Sequence, residues 1–151
     1  MNLERAAHEP AELARRLREQ MDAASPTPLD TGRIAMDNAC ALGQWLHEDG
    51  RSRHGDLPAW QRCVQAHANF HRAAGSVAAA VNRGDHAAAR AMLAAGTPFS
   101  GASRALDQAL QDLARAVADQ RQQAAAEHSP APSARTDAPT FRDTMPGLFP
   151  S

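Results

Sequence analysis

The sequence of 151 residues contains no lysine and no tyrosine, and only two Cys, two Trp and four Phe. All sixteen basic residues are therefore arginine, and the net charge of −1 predicts no nucleic-acid partner. Two cysteines do not make a disulfide framework. Aromatic and β-branched residues are scarce, and this scarcity disfavours a β-sheet. No apolar run exceeds the five residues of Val77–Val81, whereas a membrane span needs about 20.

The first residues, "MNLERAAHEPAEL", are charged from the fourth residue onward and lack the apolar stretch of a signal peptide. A chain without a disulfide framework is typical of a reducing compartment. We therefore expect a soluble, cytoplasmic protein of bacterial type, with no membrane association.

Four segments have the apolar periodicity of amphipathic helices, and the abundance of alanine supports that assignment. The predicted helices are 10–21, 31–46, 58–82, and a last segment from 85 to about 122 that "AAGTPFS" interrupts. Four such helices with short connections predict an all-α four-helix bundle over residues 1–123. Residues 124–151 are rich in Pro, Ser and Ala, and we predict a disordered tail there.

Three side chains suggest a metal site inside this bundle. His67 and His71 are four residues apart on the third predicted helix, so both imidazoles leave the same face. Cys40, on the second predicted helix, would add a thiolate. Sulfur combined with imidazole nitrogen suits tetrahedral Zn²⁺ best. Taken separately, each residue has a simpler explanation, because a lone Cys on an apolar face is usually a small buried hydrophobe.

The combined motif resembles a known family. "CALGQWL" beginning at Cys40, followed some twenty residues later by "HANFH" and "RAAG", is similar to the bacterial chemoreceptor zinc-binding domain. The resemblance implies a four-helix bundle, often dimeric, that binds one zinc through three His and one Cys. It also implies regulation of chemoreceptors or diguanylate cyclases, with the zinc-bound Cys responding to zinc availability or to oxidants such as hypochlorite.

The resemblance leaves the fourth ligand open. The family places its first His on helix one, and that position falls on Pro10, which cannot bind a metal. His8 lies two residues earlier and is our tentative candidate, because Pro10 can mark the helix start and leave His8 free to fold over the metal. Cys63 precedes His67 by four residues and is a second candidate, although core packing explains it better. A water molecule is the third.

These observations predict a non-enzymatic zinc-binding sensory module, forming a homodimer and acting on a partner in trans. One alternative is a metal-free helical module for oligomerisation or interaction, which the missing ligand at Pro10 favours. Another is a hemerythrin-like di-iron protein, because the His8-x-x-x-Glu12 and His67-x-x-x-His71 spacings resemble its pattern. Thiolate is an unexpected ligand for such an iron site.

Overall fold

The computed structural model describes residues 1–23 and 27–128, and the described residues contain eight helices and no strand. The all-α prediction is therefore confirmed, although the helices are more numerous than four. In chain order they are α1 (Leu3–Ala6), α2 (Glu9–Asp22), α3 (Thr31–Ala35), α4 (Ala41–His47), α5 (Asp49–His54), α6 (Pro58–Asn82), α7 (His86–Leu93) and α8 (Pro98–His128).

The second predicted helix, 31–46, is wrong as a continuous element. It is divided into α3 and α4, because Met36 is extended with φ −80° and ψ 126° and Cys40 with φ −102° and ψ 163°. The predicted break in the last segment is confirmed, since α7 ends at Leu93 and α8 begins at Pro98.

The C-terminal part of the chain is described only as far as His128. Helix α8 continues to that residue, beyond the end predicted near Gln122. The chain divides into two compact units, Met1–Ala118 and Asp119–Ser151. The predicted disordered tail falls mainly on residues 129–151, which lie outside the described residues, so the domain boundary at 123 stays a prediction.

Helix α6 is the central element of the first unit and contacts α2, α3, α4, α5 and α7. Its Phe70 is fully buried, and the ring lies 5.5 Å from that of Phe99 at the start of α8. The apolar face of α8 completes the core through Leu106, Leu110, Leu113 and Val117. None of the described helices is long and apolar enough to cross a lipid bilayer.

Helices α3 and α6 approach closely where two small residues meet. A Cβ atom on Gly75 would lie only 2.8 Å from the Cβ of Ala35. This contact holds the last turn of α3 against the middle of α6. The segment that leads from α3 to Cys40 therefore starts from a fixed position beside His71.

Candidate metal centre

Helix α2 brings an acidic side chain to the core. Glu9 is its first residue, and Leu13, Leu17 and Met21 follow at steps of four along the same face. Because residues four apart lie one above another on a helix, Glu9 extends this buried stripe by one turn. Its side chain is 18% exposed. Pro10 in the first turn has no N–H to leave unpaired, so the helix begins here at little cost.

Helix α6 supplies the two histidines from consecutive turns. Both are buried, and their ring centroids are 4.5 Å apart. The Nδ1–H of His71 donates to the carbonyl oxygen of Ile34 at 2.8 Å, which leaves Nε2 as the nitrogen that faces His67. Such a bond to the remote ring nitrogen is the usual way in which a protein orients a metal-binding imidazole.

Cys40 is the N-cap of α4 rather than a residue within a helix. Its sulfur accepts a hydrogen bond from the backbone N–H of Gly43 at 3.3 Å. Gly43 has no room for a side chain, because a Cβ there would overlap the carbonyl oxygen of Asp37 and lie 3.0 Å from Cε1 of His67. The bend between α3 and α4 therefore folds tightly over the first turn of α4 and aims the sulfur at α6.

Four potential ligand atoms converge at this point, all within 4.8 Å of one another, from Glu9, Cys40, His67 and His71. The sulfur of Cys40 is 3.2 Å from Nε2 of His67 and 3.5 Å from Nε2 of His71. The two Nε2 atoms are 3.1 Å apart. The Glu9 oxygens are 3.7 Å from Nε2 of His67 and 3.9 Å from Nε2 of His71.

These separations suit a small tetrahedral cation. Zinc bonds of 2.0–2.3 Å place ligand atoms about 3.3–3.8 Å apart at tetrahedral angles, and the separations observed lie close to that range. Oε2 of Glu9 is buried and has no hydrogen-bond partner among the described residues. A buried carboxylate oxygen without a partner is costly, and a bound cation would satisfy it. The residues present therefore fit a zinc ion.

The protonation of the cluster favours a cation as well. Burial raises the pKa of the Glu9 carboxyl, but the polar side chains of His67 and Cys40 beside it bring that pKa below its ordinary value. Burial and the Glu9 carboxylate raise the pKa of Cys40 to about 12. Burial lowers the pKa of His71. At neutral pH Glu9 is therefore a carboxylate, Cys40 a neutral thiol and His71 a neutral imidazole. The neutral imidazole is the form of histidine that binds metals.

The structure brings together three of the four predicted residues, namely Cys40, His67 and His71. His8 is the N-cap of α2, its side chain is exposed, and it does not belong to the cluster. Cys63 is fully buried in the apolar core, also outside the cluster. Glu12, part of the di-iron pattern, is exposed and forms a salt bridge with Arg15.

Glu9 is the residue that the sequence analysis missed. A signal for it was present, because Glu9 precedes Leu13 by the same four residues that separate Leu13 from Leu17. The candidates for the fourth ligand were His8, Cys63 and a water molecule, and none of them is a carboxylate. Carboxylate oxygen is an accepted zinc ligand alongside Cys and His. Glu9, next to Pro10, therefore offers an oxygen donor where a histidine nitrogen was predicted.

The raised thiol pKa values predict how the metal-free protein reacts with alkylating reagents. Only the thiolate is nucleophilic, so alkylation of Cys40 by iodoacetamide should keep accelerating above pH 9 instead of levelling off. Cys63, whose pKa burial raises to about 12 and whose side chain is fully buried, should stay unmodified until the chain unfolds. Peptide mass spectrometry separates the two sites. A Cys40 rate that levels off below pH 9 would contradict the assigned pKa.

Comparison with known proteins covers three of the four residues of this cluster. The family model of the chemoreceptor zinc-binding domain matches residues 11–78, a segment that contains Cys40, His67 and His71. Neither the comparison with curated proteins nor the one with solved structures found a match. The resemblance to this family that the motifs in the sequence predict is therefore confirmed over residues 11–78.

Proposed function

We propose that this protein is a zinc-binding sensory module in which Glu9, Cys40, His67 and His71 hold one Zn²⁺ ion. The convergence of these four donors, with the unpartnered buried oxygen of Glu9 among them, is the observation that supports it most. Without a cation, the cluster buries a carboxylate whose second oxygen has no partner.

The neighbouring backbone groups prepare the ligands for this role. The Ile34 carbonyl fixes the ring of His71, and the Gly43 N–H donates to the sulfur of Cys40. A zinc ion would stabilise the Cys40 thiolate, which burial and Glu9 otherwise disfavour. Four protein donors leave no tetrahedral position for water, which is typical of structural and regulatory zinc sites rather than catalytic ones. The family is likewise sensory rather than catalytic.

Cys40 is the ligand best placed to receive a signal. His67 is fully buried and His71 nearly so, whereas Cys40 is partly exposed. We infer that zinc availability or an oxidant acts at this sulfur, and that the change passes in trans to a cytoplasmic chemoreceptor or diguanylate cyclase. A homodimer is part of the same proposal, because the family resemblance implies one.

Metal content measured by inductively coupled plasma mass spectrometry tests the proposal. Wild-type protein is expected to hold about one zinc per chain, and both Cys40→Ala and Glu9→Ala to lose most of it. Removing a ligand should weaken binding far more than the 10–100-fold typical of a lost outer partner. His8→Ala is the matched control, because His8 neighbours Glu9 but lies outside the cluster, and this variant should retain zinc.

Other outcomes would favour the alternatives. Wild-type protein that takes up no zinc after reconstitution would sink the proposal and leave a metal-free interaction module. Purified protein that contains two irons and absorbs visible light would support a di-iron site. Loss of zinc in His8→Ala with retention in Glu9→Ala would keep zinc binding but overturn the ligand set.

A further inference from the structure

A cavity of about 650 Å³ lies beside the metal cluster, between α1, α2, α3 and the start of α4. Glu9 and Cys40 line it, so its contents would lie next to two members of the cluster. Part of the remaining wall is apolar, contributed by Ala6, Ala41 and Leu42. A volume of this size is within the usual range for small-molecule sites.

Three arginines from three different helices line this cavity, namely Arg5 of α1, Arg16 of α2 and Arg33 of α3. Within the described part of the chain, none of the three side chains forms a salt bridge or a hydrogen bond. By contrast, the neighbouring Arg15 on α2 forms salt bridges with Glu12 and Glu19.

The cavity has one carboxylate in its lining, and that carboxylate belongs to the metal cluster. Glu9 faces Nε2 of His67 and of His71, so a cation in the cluster would neutralise it. The cavity therefore carries an excess of positive charge. Guanidinium groups match the geometry of carboxylate and phosphate oxygens and bind them through paired hydrogen bonds.

We propose that this arginine-lined cavity binds a small organic anion that carries a phosphate or two carboxylates. The guanidinium groups of Arg16 and Arg33 bind the oxygens, Arg5 adds charge from α1, and the apolar wall receives the carbon skeleton. Arg16 and Arg33 also line the smaller space that contains His71 and Cys40. The bound anion would therefore lie directly beside the metal cluster.

Isothermal titration calorimetry on the full chain, with inorganic phosphate and with succinate as separate probes, tests this inference in Tris buffer of low ionic strength. At least one probe should bind with a single saturable isotherm. Arg16→Gln combined with Arg33→Gln should weaken that binding tenfold or more. Arg15→Gln is the matched control and should stay within twofold of wild type, because this residue does not line the cavity.

Each outcome is informative. Tighter binding of phosphate would assign a phosphoryl group, and tighter binding of succinate a dicarboxylate. No saturable binding of either probe would overturn the inference, as would an equal loss in Arg15→Gln. The three arginines are exposed, so the variants should keep the wild-type circular dichroism spectrum, and single Arg16→Gln provides a second, milder test. Because none of these variants removes a zinc ligand, metal content measured in parallel separates this inference from the proposed zinc site.

Discussion

Zinc added to the metal-free protein is expected to raise its melting temperature by about 10 °C or more. A ligand that binds only the native state stabilises it by about 4 kcal/mol at a free concentration one thousand times its Kd. The four donors come from α2, the α3–α4 bend and α6, so an unfolded chain offers no comparable site. Differential scanning calorimetry with a zinc buffer measures the shift.

The same experiment includes its own control. Cys40→Ala should melt at one temperature with or without zinc, whereas His8→Ala should show the full shift. Identical melting of wild-type protein with zinc and with a chelator would contradict the assignment, because a metal bound to the native state alone must stabilise it.

Among substitutions in this site that add a single methyl group, Gly43→Ala should destabilise the protein most. The new Cβ would lie 2.7 Å from the carbonyl carbon of Asp37 and overlap its oxygen. A backbone carbonyl cannot move aside as the end of a flexible side chain can, so the α3–α4 bend must shift and carry Cys40 with it. We expect a loss of about 3 kcal/mol in the free energy of unfolding, at the upper end for overpacking, together with weaker zinc binding.

Urea denaturation and zinc competition with a chromophoric chelator measure the two effects. Gly101→Ala is the control, because Gly101 lies within α8 and a Cβ there would meet nothing within 4 Å. That variant should be more stable by up to about 1 kcal/mol, the difference in helix propensity. Wild-type stability and zinc affinity in Gly43→Ala would show that the bend is looser than the structure indicates.

The fold class could be predicted because it depends on periodicity and composition. Apolar residues at helical spacing were sufficient for α2, α6 and α8, whose cores are formed by residues such as Leu17 and Leu110. The division between α3 and α4 could not be predicted from periodicity or composition. It depends on an extended Met36 and on a turn that closes over Gly43, and both are consequences of packing rather than of local propensity.

The candidate site was predictable where residues shared one helix and not where they met from separate elements. The spacing of His67 and His71 fixes their common face, so their placement followed directly from the sequence. The presence of Glu9 in the cluster, in place of the predicted His8, depends on where α2 begins. With Glu9 as the first helical residue, a difference of one position turns the side chain by about 100°, from solvent towards the cluster.

Glu9, Cys40 and His67 are far apart in the sequence, so one ion bound by all three would close two long loops of chain at once. In this respect it would resemble a pair of disulfides, which restrict the unfolded chain and stabilise by about 3–4 kcal/mol each for loops of a few tens of residues. A disulfide needs an oxidising environment, whereas this cross-link would form under reducing conditions and open when the ion leaves. The connectivity of the folded chain, and not only the occupancy of a site, would then follow the supply of metal.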